Sequence, residues 1–191
     1  MGIGAIIVLG LLLVLVVYAI MIYNNLVQIK HNVTKAWANI DVLLKQRHDE
    51  LPKLVETCKQ YMKFEQDTLT RVMEARSRVF TAREAQNIPQ LGQAEGALRA
   101  TLGNLFALAE AYPDLKTNQT FQQLQTRISG LENAIADRRE FYNESVNVNN
   151  IRVEQFPDTI VAGMFGFKPA QLLEFQAEEK ADVDVGKLFK S

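Results

Sequence analysis

The chain has 191 residues, 48% of them hydrophobic, and its 21 basic residues are balanced by 22 acidic ones. This length suffices for one domain with a substantial core. A sequence pI near 6.2 argues against general nucleic-acid binding, which depends on excess positive charge. The single cysteine, Cys58, excludes an intramolecular disulfide, and its apolar neighbours at helical spacing predict a core position.

The first 29 residues contain no charged side chain, and almost every position from Ile3 to Ile22 is apolar. About 20 apolar residues in a helix cross a bilayer core of roughly 30 Å. Residues 1–23 are therefore predicted to be a transmembrane anchor that contacts lipid through residues 3–22. No Lys or Arg precedes the apolar run and no small-x-small motif precedes Tyr23, which favours a retained anchor over a cleaved signal peptide.

Apolar residues recur every three or four positions through most of the remaining chain, which predicts long helices. The first helix is expected to continue from the membrane into water, with Pro52 marking either a helix restart or a kink. A second apolar stripe extends from Leu51 to Phe80 and ends around residues 87–89. A third helix is predicted from about residue 90 until Pro113.

A fourth helix is predicted to be capped by Thr117 or Asn118 and to end near Val153. No segment alternates with period two, so the predicted fold class is all-α. The transmembrane helix would be continuous with an antiparallel bundle of long helices over residues 24–155.

The charge is distributed unevenly, because residues 24–83 carry 11 Lys or Arg against 7 Asp or Glu, whereas residues 84–191 carry 10 against 15. Two interpretations remain open. Basic and acidic helices pack beside each other, or a basic membrane-proximal part is followed by an acidic end offered to a partner.

Residues 156–191 form a separate region, predicted to be an irregular apolar segment followed by an acidic tail with mobile final residues. Residues 156–169 are apolar and contain several Gly and Pro, so they cannot form one regular helix. This much apolar surface must be covered, either by the bundle of the same chain or by a neighbouring subunit or partner.

The sequence contains no recognisable catalytic, cofactor-binding or metal-binding constellation. His31 and His48, the only histidines, are 17 residues apart, and His48-Asp49-Glu50 lacks the i, i+4 pairing of a helical zinc site. This triplet is predicted to be a solvated helix end. We therefore expect no cofactor and no enzymatic activity.

Trp37 is the only tryptophan, and its spacing predicts a packing anchor or a contact at a subunit interface. The candidate interface residues are aromatic or apolar: Trp37, Phe156, Pro157, Met164, Phe165 and Phe167.

The chain resembles the LemA family in motifs spread over nearly its whole length. The similar residues are Tyr23-Asn24-Asn25-Leu26-Val27, Asn32-Val33, Ala36-Trp37, the run from Ile40 to Pro52, Leu54-Val55-Glu56-Thr57, Phe156-Pro157 and Phe165-Gly166-Phe167. The resemblance implies a membrane-attached bundle of long helices without established catalytic residues. It also implies that Trp37 is a packing anchor, that Pro52 lies at a helix junction, and that the last long helix ends at Phe156 and Pro157.

The location expected from these features is a single-pass protein of the bacterial inner membrane. Lys30 and Lys35 follow the span, which by the positive-inside rule favours a cytoplasmic bundle. Lipoprotein-like relatives in the LemA family favour the extracytoplasmic side, which we adopt.

The predicted function is that of a non-enzymatic, membrane-anchored scaffold that forms homo-oligomers and binds other envelope proteins. An adaptor or regulator of a membrane-bound enzyme such as a protease is the alternative.

Overall fold

A computed structural model describes residues 2–174 of the chain, and all the secondary structure in this range is helical. The helices are α1 (Ile3–Tyr61), α2 (Gln66–Glu84), α3 (Ile88–Ala109), α4 (Pro113–Lys116), α5 (Gln119–Glu154) and α6 (Asp158–Phe165). The predicted all-α class is confirmed. The expected acidic, mobile tail lies outside the described residues.

The contacts divide the described residues into two compact units. The first unit contains residues 2–40 and 137–172, and the second contains residues 41–136 and 173–174.

Helix α1 begins with the apolar segment and continues through Pro52 to Tyr61. A proline has no amide hydrogen, so Pro52 cannot bond the carbonyl of His48 one turn earlier. In the structure, Arg76 Nε donates to that carbonyl oxygen at 2.9 Å. The expected restart at Pro52, and the junction that the family resemblance implied there, are therefore wrong.

The junction between α1 and α2 lies at residues 62–65 instead. The Met62 amide still donates to the Cys58 carbonyl at 2.8 Å, and Phe64 projects almost fully into solvent. No Gly or Pro marks this turn, and the apolar spacing continues from Met62 to Leu69, seven residues apart. The sequence prediction therefore merged the two helices here.

Two asparagines cap the following long helices. The Asn87 side chain accepts a hydrogen bond from the Gln90 amide at 3.1 Å at the start of α3. Asn118 Oδ1 accepts from the Phe121 amide at 3.0 Å at the start of α5, so the predicted cap is confirmed there. The short helix α4 was not predicted.

The second unit has a core of aliphatic side chains from α1, α2, α3 and α5, and α2 packs against α3. Cys58 is fully buried in this unit, as predicted. Gly92 of α3 lies directly against the backbone of Glu174, because a Cβ on Gly92 would collide with the Glu174 carbonyl oxygen. The chain that uses this close approach is not helical.

The first unit joins the part of α1 up to Ile40 to the end of α5 and to α6. Its core cluster contains Ile22, Leu26, Val161 and Ala162. Helix α6 ends at Gly166, whose φ of 72° is the left-handed conformation that glycine adopts without strain. Residues on both sides of α6 are not helical, so the apolar C-terminal segment contains one short helix.

Candidate interaction surface

Helix α6 is fixed to α1 and α5 by the guanidinium group of Arg152. Its Nη2 donates to Asn25 Oδ1 at 2.9 Å, and its Nη1 lies 2.7 Å from Asp158 Oδ2. Asp158 is buried at the start of α6. One side chain of α5 therefore connects the helix that leaves the apolar segment with the first residue of α6.

The extended chain after α6 lies along α5 and is held by two adjacent asparagines. Asn149 Nδ2 donates to the Lys168 carbonyl at 3.2 Å. Asn150 Nδ2 donates to the Ala170 carbonyl at 3.0 Å, and its Oδ1 accepts from the Ala170 amide at 2.8 Å. The Asn150 side chain thus bonds both the carbonyl and the amide of Ala170, as the backbone of a neighbouring β-strand would. Asn has low helix propensity, so two adjacent Asn residues within a long predicted helix are a sequence signal for a specific side-chain role. The prediction from apolar periodicity missed this signal.

Aromatic contacts complete the first unit. Trp37 packs edge-on against Tyr142, with ring centroids 5.7 Å apart. The Tyr142 hydroxyl donates to the Gln171 carbonyl at 3.0 Å. Tyr23, at the end of the apolar segment, lies 4.7 Å from the Phe165 ring and 5.8 Å from the Phe167 ring.

The six predicted interface residues fall into two groups. Trp37, Pro157 and Phe167 are partly buried within the first unit. Phe156, Met164 and Phe165 are 75%, 75% and 60% exposed. The structure therefore brings Phe165 and Phe167 together at Tyr23, whereas Trp37 belongs to a separate contact with Tyr142.

A second exposed apolar set lies on α5 and was not predicted from the sequence. Phe141, Val148 and Ile151 are all exposed. Their spacings of seven and three residues place them on one face of the helix. The same spacing was visible in the sequence, but the neighbouring core stripe through Tyr142 and Val146 masked it.

The second unit contains a buried cluster of charged side chains around Arg47. The guanidinium of Arg47 bonds Glu95 and also lies 2.5 Å from Glu132 Oε1. Burial raises the pKa of Glu95, against the opposing attraction of Arg47. Attraction to two carboxylates raises the pKa of Arg47 although burial alone would lower it. The cluster is therefore an internal ion network whose members are one another's partners.

His48 lies inside α1, so the predicted solvated helix end is wrong at this point. Its ring stacks at 4.8 Å on Phe80, and its Nε2 lies 2.6 Å from Arg76 Nη2. Burial lowers the pKa of His48, and the nearby positive charge of Arg76 lowers it further. Glu50 is buried as well, 3.3 Å from both Lys53 and Arg127. Over residues 2–174, no three His, Cys, Asp or Glu side chains converge as metal ligands would.

A family model described as LemA family matches residues 36–186. The chain belongs to the LemA family. The match covers most of the second unit and the greater part of the first, including the asparagine pair on α5 and helix α6. The family resemblance stated from the sequence is confirmed.

Individual relatives come from different bacteria. The chain is 26% identical to protein LemA of Metamycoplasma hominis over 86% of its own length and 74% of the relative. It is 33% identical to magnetosome protein MamQ 2 of Paramagnetospirillum magneticum over 48% of its own length. It is 32% identical to magnetosome protein MamQ of Magnetospirillum gryphiswaldense over 39%. These matches cover only 33% and 28% of the two MamQ proteins.

This LemA-family chain has one helix among its described residues, α1, that is long and apolar enough near its N-terminus to cross a membrane. The coarse conclusion from the structure and the relatives together is a membrane-associated, all-helical protein of the LemA family.

Proposed function

We propose that this protein is a non-enzymatic scaffold that is anchored in a membrane by residues 3–22 and assembles laterally with copies of itself. The observation that carries the proposal is the exposed apolar face of α5, formed by Phe141, Val148 and Ile151. The occupant that we assign to this face is the same face of a second copy.

Anchoring in a bilayer supports this assignment. Copies confined to one plane meet at a high effective concentration, so a small apolar contact is enough for lateral assembly. Ile151 precedes Arg152, which bonds Asn25 just beyond the apolar segment. The face therefore begins close to the membrane, where neighbouring copies are held at the same height.

Two further observations support a structural role. The buried charges of each unit are engaged with one another, as in the pairs of Arg47 with Glu95 and of Arg152 with Asp158. Relatives include a mycoplasma LemA protein and magnetosome proteins. Such different settings fit a shared structural module that binds other membrane or envelope proteins.

The test is the mass of the full-length protein in mild detergent, measured by light scattering with correction for bound detergent. We expect a discrete oligomer that dissociates when Phe141 and Ile151 are replaced by Glu. The matched control is Phe64→Glu, since Phe64 is 95% exposed in the turn between α1 and α2 and should leave the mass unchanged. Circular dichroism checks that all variants stay helical.

A wild-type monomer at every concentration in detergent, together with no cross-linking between copies in the membrane, would overturn self-association, because detergent alone removes the confinement to one plane. In that case the adaptor alternative would be tested next by isolating a partner at fixed stoichiometry.

We also propose that the bundle lies on the extracytoplasmic side of the bacterial inner membrane. The exposed position of Phe64 offers a direct test through Phe64→Cys in intact cells. A membrane-impermeant maleimide should label this variant before lysis. Labelling only after lysis would place the bundle in the cytoplasm.

A further inference from the structure

We propose that helix α6 is a second membrane contact, whose outward-facing apolar side chains lie in lipid at the boundary of the bilayer beside α1. The partner of this surface is the bilayer itself. The inference rests on the proposed anchoring by residues 3–22 and does not depend on self-association.

The position of α6 along the bilayer normal follows from its contacts with α1. Val161 and Ala162 pack against Ile22 and Leu26, and Ala19 is also part of this contact. Ala19 and Ile22 belong to the last turn of the apolar segment, which needs its full 20 residues to cross about 30 Å of hydrocarbon. Side chains packed on that turn are therefore at the level of the bilayer edge.

The faces of α6 that do not touch α1 are also apolar. Ile160 is 54% exposed and Met164 is 75% exposed, and these two residues are four apart, on one side of the helix. Phe165 keeps 60% of its surface exposed although its ring contacts Tyr23. In water this surface would be costly, whereas in the interfacial layer apolar and aromatic side chains are favourable.

The surface of α6 is continuous with the exposed apolar surface of α1. Tyr23 contacts both Phe165 before Gly166 and Phe167 after it, so no polar gap separates the two helices there. This continuity favours lipid over a protein partner, because the lipid that surrounds exposed side chains of the apolar segment beside Tyr23, such as Met21, extends onto α6.

Two lysines lie beyond the apolar segment, on the side of α6 that faces away from the bilayer. Lys30 and Lys168 line one shallow groove with Asn149, Gly166 and Phe167. Lys30 is seven residues beyond Tyr23, or about 10 Å along a helix. This is the distance at which lysine side chains meet lipid headgroups, and anionic headgroups attract them further.

The experiment is a depth measurement on full-length protein in nanodiscs that hold one copy each. A nitroxide label is attached to Met164→Cys, with Ile160→Cys as a second variant. Native Cys58 does not compete for the label, because it is fully buried, and burial also raises the pKa of its thiol. The readout is the ratio of collision rates with oxygen, which dissolves in lipid, and with a nickel chelate, which stays in water.

We expect a severalfold higher oxygen-to-nickel ratio at residues 160 and 164 than at Phe141→Cys. Phe141 is the matched control, since it is also exposed and apolar but lies 11 residues before Arg152, which bonds Asn25 just beyond the apolar segment, and so is about 16 Å further along a helix. Ratios at 160 and 164 equal to that of 141 would overturn the proposal.

A label at Val14→Cys separates this proposal from the anchor itself. A lipid-like ratio at 14 with water-like ratios at 160 and 164 leaves the anchor intact and overturns the role of α6. A water-like ratio at 14 overturns both. Lipid-like ratios at 160 and 164 that arise only in discs with two copies would assign the surface to a second chain and also overturn the proposal.

Discussion

Arg76 Nε donates a hydrogen bond at 2.9 Å to the carbonyl oxygen of His48, the one carbonyl of α1 that Pro52 deprives of its helical donor. The same guanidinium reaches His48 Nε2 through Nη2 at 2.6 Å. A side chain of α2 thereby replaces a missing backbone bond of α1. This explains why α1 passes through a proline without ending.

The first prediction concerns this replacement. Arg76→Met should lower the free energy of unfolding by about 1 kcal/mol in the wild type, because the His48 carbonyl loses its donor. In a Pro52→Ala background the same change should cost less, since the backbone amide that this substitution restores at position 52 can bond that carbonyl itself. Urea denaturation of the four proteins in detergent measures this coupling. Equal costs in both backgrounds would show that Arg76 acts through another contact.

A second prediction concerns the buried ion network. Arg47→Met should destabilise the protein by about 3–5 kcal/mol, since it leaves the carboxylates of Glu95 and Glu132 without their cation in a buried site. Arg83→Met is the comparison, because Arg83 bonds Asp41 at 2.6 and 2.8 Å in a more exposed position. That pair should contribute about 1 kcal/mol or less. Thermal unfolding measures both losses of stability. Equal losses would contradict the expectation that the more deeply buried ion pair is the costlier one to break.

The third prediction is a pH dependence that originates from Glu95. Burial raises the pKa of this carboxyl above its ordinary value of 4.5, so the folded state holds the proton more tightly than the unfolded state. The free energy of unfolding should therefore fall as pH rises from that ordinary value to the raised folded pKa, and level off above it. The side chain of the Glu95→Gln variant cannot titrate. The free energy of unfolding of the wild type minus that of the variant, from denaturation curves at several pH values, should therefore fall with pH over the same range. A pH-independent difference would refute it.

The fourth prediction compares two glycines of α3. Gly92→Ala places a methyl group into the Glu174 carbonyl oxygen, so the chain at residues 173–174 must move away. Gly103 has nothing within 4 Å of its Cβ position, and Gly103→Ala should stabilise the protein by up to about 1 kcal/mol through helix propensity. Limited proteolysis should therefore cleave near residue 174 faster only in the Gly92 variant. Identical cleavage rates would mean that the contact does not hold this segment.

The fifth prediction concerns the asparagine that holds the chain after α6. Asn150→Ala removes both bonds to the backbone of Ala170, so the Ala170 amide should exchange its hydrogen faster. Asn147→Ala is the control, since Asn147 is exposed on the same helix and should leave that rate unchanged. Hydrogen-exchange mass spectrometry of peptides covering residues 166–174 measures the effect. Unchanged exchange in the Asn150 variant would show that other contacts hold this chain.

Helical periodicity was enough to predict the fold class and the burial of Cys58, because these depend on local spacing. The residue types left Thr117 and Asn118 as alternative caps of the fourth helix, and Asn118 is the one that caps α5. Periodicity failed at Pro52 and at residues 62–65 for opposite reasons. At Pro52 a breaker is present, but a distant arginine compensates for it. At residues 62–65 the helix ends without a breaker, and the apolar spacing continues across the turn.

The surface residues were only partly foreseeable. Phe156, Met164 and Phe165 were predicted as interface residues because apolar residues crowd that segment; they are exposed, and their role at an interface stays a prediction. The role of Arg152 was not predicted, because its partners Asn25 and Asp158 are brought to it only by the fold. A hydrogen bond across 127 residues leaves no trace in local spacing.

The same bond carries a consequence for biosynthesis. Asn25 leaves the ribosome 127 residues before Arg152, and Leu26 leaves it about 135 residues before Val161 of α6. At about 5–20 residues per second, the apolar face of Ile22 and Leu26 is therefore exposed for roughly 7 to 27 s before α6 covers it. During that interval the nascent chain already holds its apolar segment but has neither α6 nor the end of α5. Lipid or a chaperone must shield that face until translation is nearly complete, and a chain truncated before Arg152 would keep it uncovered permanently.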